Sequence, residues 1–298
     1  MKKQIISFVV TTLLATGGCL AADSLPQGQQ ERMVTEGIRF CESTYPYENG
    51  LLIANFGTTQ LNPLNTEGKG YILQYKDSKT EMLIPTDGNL SAPKGMYQKG
   101  DYLFICDVNK LVVYNLKDLK QTPQIISFPA DDLFLNDLAA AGNTLYISVT
   151  NSGRIYTLDI SQPSKLNENT LKKWMDITGP NGIIIDGNAL YIASYPADGN
   201  TTEKNVIYKI ANLKRPVVEK FFNVPGQYDG IALSADKKTL YISNWIPASV
   251  TAIDMDTKKS TTLPVGEGLT GPADMTLKNG ILYIPDLPNS RVLMYKVK

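Results

Sequence analysis

The sequence predicts an all-β fold, a six-bladed β-propeller, on three observations. A short strand signal recurs six times, other strand signals flank each copy at regular places, and helical periodicity is nearly absent. The recurring signal is Leu51-Leu52-Ile53, Leu103-Phe104-Ile105, Leu145-Tyr146-Ile147, Leu190-Tyr191-Ile192, Leu240-Tyr241-Ile242 and Leu282-Tyr283-Ile284. The steps between first residues are 52, 42, 45, 50 and 42. Units of about 40–50 residues with four short strands have the period of propeller blades.

Each element of the unit follows from local chemistry. A small residue closes each signal: Ala54, Cys106, Ser148, Ala193, Ser243 or Pro285. A turn rich in Gly, Asn, Asp or Lys precedes it, as in Asp186-Gly187-Asn188. Before that turn runs another apolar strand, such as Gly182-Ile183-Ile184-Ile185. A third strand follows the signal, for example Leu111-Val112-Val113 or Val250-Thr251-Ala252. A weaker fourth strand follows in most copies, as in Gln124-Ile125-Ile126 and Val217-Val218-Glu219. The last copy has three clear strands, and the segment near Arg32–Ile38 has no blade of its own. It is expected to complete the last blade and close the ring, which removes an exposed edge. The one helical candidate, Asn169 to Met175, reads equally as a charged outer strand.

The N-terminus reads as a targeting segment. Lys2 and Lys3 precede an apolar run from Ile5 to Ala15 and the small residues Thr16, Gly17 and Gly18. This is the order of a Sec-type secretory signal, and the run is shorter than the ~20 residues of a membrane span. Cleavage after Ala21 or Ala22 makes residues 1–22 a signal peptide and 23–298 a single domain in the periplasm or outside the cell. Lipid anchoring at Cys19 is the alternative, ranked second because Thr16 stands where such signals usually carry Leu.

Composition excludes several chemistries. Loss of Lys2 and Lys3 leaves 27 basic residues of 29, against 29 acidic. With no basic stripe, nucleic acid is not an expected partner. No later stretch is apolar enough for a transmembrane segment, and a monomer is expected. Cys41 and Cys106 could pair in an oxidising compartment; because Cys106 occupies the small-residue slot of the repeat, both are expected instead to be small buried residues. The chain has no histidine. This rules out a Ser-His-Asp triad, a Cys-His dyad and a His-ligated zinc within this chain.

The repeat also locates a candidate site. The innermost strand of each blade lines the central channel, and its start lies at one mouth. Counting nine residues back from each signal gives Glu42, Lys94, Asn136, Asn181 and Ala273. The fifth blade has two extra turn residues, and eleven back gives Asp229. Four of the six carry oxygen donors. Burying them costs free energy unless each finds a partner, and one hard cation would satisfy Glu42, Asn136, Asn181 and Asp229 together. Oxygen ligands without Cys or His select Ca2+, with Mg2+ or Mn2+ as alternatives. The competing reading is that Asn and Asp at a strand start bond the preceding loop backbone. Lys94 also opposes a cation: at 4 Å and an effective dielectric of about 20, the repulsion is roughly 4 kcal/mol per unit of metal charge. Lys94 must lean out of the ring, or pair with Glu42.

The segments Cys41-Glu42-Ser43, Asn136-Asp137, Pro180-Asn181-Gly182 and Tyr228-Asp229-Gly230-Ile231 resemble motifs of the regucalcin/gluconolactonase family of six-bladed propellers. The resemblance spans essentially residues 23–298. It implies one divalent cation at the mouth, with Glu42, Asn181 and Asp229 as ligands and Asn136 touching the metal, its water or the substrate. It also implies Asp229 as general base in lactone hydrolysis. The family pattern has an arginine where this chain has Phe134, and Lys94 is a further departure; both weigh against sugar lactones. The expected function is an exported metal-dependent hydrolase of lactones or related cyclic esters. Its catalytic residues are Asp229, Asn136 and Lys94, Lys94 steadying developing negative charge or a substrate carboxylate. A non-catalytic propeller that binds a small ligand or a protein is the alternative. Long loops from Phe56 to Gly70 and from Tyr195 to Lys204 rim the mouth. Phe56, Tyr195 and Trp245 are expected either to wall a substrate pocket or to seal gaps between blades.

Overall fold

A computed structural model describes residues 28–297 except Glu267, and the side chain of Glu31 is also left undescribed. The signal-peptide assignment therefore lies outside the described residues. An N-terminal strand, β1 (Gln29–Val34), comes first. The first blade is β2 (Cys41–Tyr47), β3 (Gly50–Asn55), β4 (Tyr71–Lys76) and β5 (Lys79–Ile84). The second is β6 (Pro93–Lys99), β7 (Tyr102–Asp107), β8 (Lys110–Asn115) and β9 (Gln124–Ser127). The third is β10 (Leu135–Ala141), β11 (Thr144–Val149), β12 (Arg154–Asp159) and β13 (Lys172–Asp176). The fourth is β14 (Pro180–Asp186), β15 (Ala189–Ser194), β16 (Ile207–Ile210) and β17 (Val218–Phe222). The fifth is β18 (Tyr228–Leu233), β19 (Thr239–Asn244), β20 (Ser249–Asp254) and β21 (Ser260–Thr262). The sixth is β22 (Thr276–Lys278), β23 (Ile281–Asp286) and β24 (Arg291–Lys296), completed by β1.

Every blade is a four-stranded antiparallel sheet, and each Leu-containing signal is its second strand. β1 pairs antiparallel with β24, so the chain's first strand closes its last blade. The closing strand lies a few residues earlier than the Arg32–Ile38 segment suggested by the sequence. The helical candidate divides into a 3-10 turn at Glu168–Thr170 and the outer strand β13.

A blade has two apolar faces, and burying both requires a neighbour on each side. The core accordingly consists of apolar clusters between blades. Phe104, Leu111, Leu145 and Ile147 meet between the second and third blades. Val34, Leu51, Val292 and Met294 meet between the sixth and first, across the closure. β3 is buried at every residue, which is why its sequence is a continuous apolar run rather than an alternating one. Inner strands contact one another in ring order, including β22 with β2. Cys41 and Cys106 are both buried and unpaired. Among the described residues, no helix is long and apolar enough to cross a membrane.

Candidate functional site

Local backbone geometry aims the ring side chains. In five blades the pairing of the first two strands slips across the ring residue. The slips fall between Cys41 and Ser43, Pro93 and Met96, Leu135 and Leu138, Pro180 and Ile183, and Tyr228 and Ile231. Such a β-bulge places two residues against one, bends the strand and re-aims a side chain. Glu42, Lys94, Asn136, Asn181 and Asp229 each lie within one, as the second residue of their strand rather than the first. In the sixth blade the inner strand is joined to the first blade by a parallel bridge, Ser43 to Asp274. Glu42 O accepts from Asp274 N at 3.0 Å.

Bulges leave backbone groups without ladder partners, and the small-residue slot of the repeat supplies them. Ser148 Oγ accepts from Asp137 N at 2.9 Å and donates to Asn181 O of the next blade at 2.6 Å. Ser243 Oγ accepts from Gly230 N at 2.7 Å and donates to Ala273 O at 3.0 Å. These braces fix the carbonyls of ring residues from the neighbouring blade. Close approach also restricts the next position along each strand: a Cβ on Gly230 would lie 2.5 Å from Ala273 O and 2.6 Å from Met275 N.

All six ring positions are buried. The loop backbones before the inner strands are satisfied by other side chains. Asn55 Oδ1 accepts from Arg39 N at 3.0 Å, and Asp107 Oδ1 from Ala92 N at 2.6 Å. Asn244 Oδ1 accepts from Gln227 N at 2.7 Å, and Asp286 Oδ1 from Gly271 N at 3.0 Å. In these four blades the loop-bonding role open to Asn and Asp thus falls to the residue ending the second strand; in the third and fourth blades that strand ends in Val149 and Ser194. The ring residues are left over. Among the described residues, six buried side-chain nitrogen or oxygen atoms have no hydrogen-bond partner. Five of them are Glu42 Oε2, Asn136 Oδ1 and Nδ2, Asn181 Oδ1 and Asp229 Oδ1. Native interiors leave few such atoms, each costing about 1–3 kcal/mol.

Those orphaned oxygens fit a hard divalent cation. Glu42, Asn136, Asn181 and Asp229 each keep at least one buried oxygen without a hydrogen-bond partner; Glu42, Asn181 and Asp229 line one cavity at the channel mouth, whereas Asn136 is not among the residues lining it. Among the described residues, no three side chains of the Asp, Glu, Cys and His types converge as a metal site. A cation held here would therefore draw on the amide oxygens beside Glu42 and Asp229.

Lys94 neither pairs with Glu42 nor joins any other salt bridge within 4.0 Å among the described residues. Its Nζ donates to Ala92 O at 3.0 Å and to Pro63 O at 3.1 Å. It lies 4.9 Å from the Phe134 ring centre and 5.6 Å from that of Phe56. Lys94 thereby ties the long loop between β3 and β4 to the channel wall. Phe134, the neighbour on one side, has a φ of 72°, in a region that side chains other than glycine rarely occupy.

Two further acids lie one residue beyond the ring, at positions that sequence counting did not select. Asp137 accepts from Leu138 N and from Ile183 N of the next blade, both at 2.7 Å. Asp274 accepts from Ser43 Oγ at 2.9 Å. The adjacent Asn-Asp and Ala-Asp pairs at 136–137 and 273–274 were their signal. Burial raises the pKa of Asp137 to about 7 against two backbone hydrogen bonds. Burial, then Asp137, raises Asp229 to about 7, with Lys94 opposing. Glu42 is raised by burial and by Asp229, and Asp274 by burial and by Asp137. Burial lowers Lys94, and Glu42 opposes that shift most.

A cavity of about 120 Å3 opens at the mouth, lined by Glu42, Lys94, Asn181 and Asp229 below and by apolar side chains above. Of the three rim aromatics, Tyr195 and Trp245 line it. Phe56 is fully buried with Ala92, Val108, Ala273 and Leu287, and seals the structure beneath.

No family model matches this sequence, and no curated protein matches it. Solved structures do. A gluconolactonase from Xanthomonas campestris superposes with a TM-score of 0.63 at 15% identity, over 93% of this chain and 96% of that one. A catalytically inactive virginiamycin B lyase from Staphylococcus aureus, solved with quinupristin, has a TM-score of 0.58 at 12% identity, over 92% and 99%. A Bacteroides thetaiotaomicron protein of unknown function gives 0.60 at 12%, over 92% and 73%. These likenesses establish the six-bladed fold, and fold alone does not carry an activity.

Proposed function

We propose that this protein is a divalent-cation-dependent hydrolase of lactones or related cyclic esters, acting at the channel mouth. The observation carrying the reading is the set of orphaned oxygens on Glu42, Asn136, Asn181 and Asp229. These four residues would hold the cation, Ca2+ first and Mg2+ or Mn2+ as alternatives. When bound, it would polarise the ester carbonyl and acidify water.

The chain's own groups supply the rest. Asp229 accepts a proton from the attacking water as its oxygen bonds to the carbonyl carbon. The ring C–O bond then breaks, and that proton passes from Asp229 to the leaving alkoxide, giving a hydroxy acid whose new carboxyl ionises and releases one proton to solvent. Asn136 and Asn181 orient the reacting groups. Lys94 spends two donors on Ala92 O and Pro63 O, which leaves one N–H of its ammonium for developing negative charge. The similarity in fold to a gluconolactonase agrees with this chemistry. The signal-like N-terminus agrees with export.

Calorimetric titration with calcium, followed by lactone hydrolysis monitored by proton release, tests the proposal. One site should bind, and chelation should abolish turnover. Absence of divalent binding at millimolar levels would end the mechanism. Cation binding without turnover of any cyclic ester would place the chain among non-catalytic ligand-binding propellers.

A further inference from the structure

Above its oxygen floor the mouth cavity is apolar. Its walls are Leu61, Pro63, Phe134, Tyr195, Trp245 and Leu287, and of these only Tyr195, with its hydroxyl, and Trp245, with its single indole N–H, carry a polar side-chain group. A ligand hydroxyl directed at the other four walls would be buried without a side-chain partner, a loss on the order of tenfold in affinity for each one. A polyhydroxylated ring brings several. The apolar surface also continues outward along the β3–β4 loop and the β19–β20 turn. Leu61 is 36% exposed, Leu64 40% and Ile246, beside Trp245, 61%. Large aliphatic side chains left in water beside an apolar cavity mark a surface for an apolar ligand.

We infer that the substrate is a cyclic ester bearing an alkyl tail. This rests on the hydrolase reading for the ester and on the cavity walls for the tail. The ring carbonyl meets the oxygen floor near Asp229 and Lys94. The tail runs along Leu61, Trp245 and Leu287, then leaves the cavity past Leu64 and Ile246. A cavity of about 120 Å3 holds a small ring with a few carbons, so a longer tail must reach the rim.

The test uses the calcium-loaded chain and 5-alkyl-γ-butyrolactones with tails from methyl to octyl, kept below micelle-forming concentrations, beside glucono-δ-lactone. Each methylene should raise kcat/KM about three- to fourfold while it lies against the wall, and the rise should level off where the tail passes the rim. Glucono-δ-lactone should fall at least about a hundredfold below the octyl compound. Binding is read separately with 5-alkyl-pyrrolidin-2-ones, whose amide resists hydrolysis. Trp245 fluorescence serves as the signal in a Trp174→Phe background, since the chain has two tryptophans and Trp174 meets Tyr146 edge to face with ring centres 4.9 Å apart. The same chain-length slope is expected, and Ile246→Ser should shorten the range over which it holds. Lactam binding with that slope but no lactone turnover would support the alkyl ligand and reject the hydrolase. Turnover of glucono-δ-lactone equal to or above that of the octyl lactone would overturn the alkyl inference and keep the hydrolase. A flat slope in both series would also overturn it.

Discussion

Replacing Asp229 with asparagine should stabilise the cation-free protein while removing its cation site. Asp229 is buried at the channel mouth beside Asp137, and its pKa rises to about 7. The folded pKa lies above the unfolded one. Its contribution is therefore fully present below about pH 4 and is lost as pH climbs through 7. The displacement corresponds to about 4 kcal/mol once the carboxylate is fully ionised. Asparagine binds no proton and escapes that loss, but leaves an unmatched amide worth about 1 kcal/mol. In chelator at pH 8, Asp229→Asn should gain about 3 kcal/mol, or about 6 °C in Tm for a chain of this size. At pH 4 the two proteins should lie within about 1 kcal/mol of each other. Calcium at a hundred times its Kd should restore about 2.7 kcal/mol to the wild type and nothing to the variant. Thermal melts at pH 4, 6 and 8, with and without calcium, measure all of this. A pH-independent difference, or a variant less stable at pH 8, would refute the electrostatic account of the ring.

Lys94→Met removes the cation that opposes a metal. At an effective dielectric of about 20 and a separation on the order of 8 Å, the relief is about 4 kcal/mol for a doubly charged ion; calcium affinity by calorimetry should rise at least tenfold, and a fall would mean that Lys94 assists binding. The same variant frees Pro63 O, so amide hydrogen exchange over residues 56–70 should accelerate. Gly230→Ala sets a Cβ against the backbone of the sixth blade, which should cost about 3 kcal/mol and be visible as a lowered Tm. Native Cys41 and Cys106 are buried and unpaired, and burial pushes the Cys41 thiol up; thiol alkylation should be slow until denaturant is added, and then reach both residues without reductant.

The blades were legible because a strand buried on both faces must be apolar throughout. The Leu-containing signals mark those strands, and they keep register around the ring. Counting back from them located the ring residues because inner-strand and turn lengths vary little between blades. What counting missed depends on contacts between blades. Asp137 is held by Ile183 N, and Ser148 braces Asn181 O, each in a different blade. No periodicity within one blade encodes those meetings. Lys94 illustrates the same limit. A charge at a channel position suggested an ion pair or an outward lean, and the side chain instead bonds the carbonyl of Pro63, from a loop whose path the sequence does not specify.

The channel's charge balance links the fold to the proposed chemistry. Glu42, Asp137, Asp229 and Asp274 are four buried carboxyls, and Lys94 is the buried amine among them. Four ionised carboxylates against one ammonium would leave three uncompensated negative charges in a medium that screens them poorly. All four carboxyls accordingly have raised pKa values, so protons offset the imbalance when no cation is present. Asp137, besides a bond within its own strand, and Asp274 each bond a neighbouring blade, and these bonds help hold the ring together. Glu42 and Asp229 keep oxygens free. The second pair, with the two amides, is where a divalent ion can replace protons without breaking a bond between blades. Packing alone would have favoured apolar residues at these positions, as Ala273 shows in the sixth blade. Oxygen at four of six equivalent sites carries a burial cost that the proposed cation would offset.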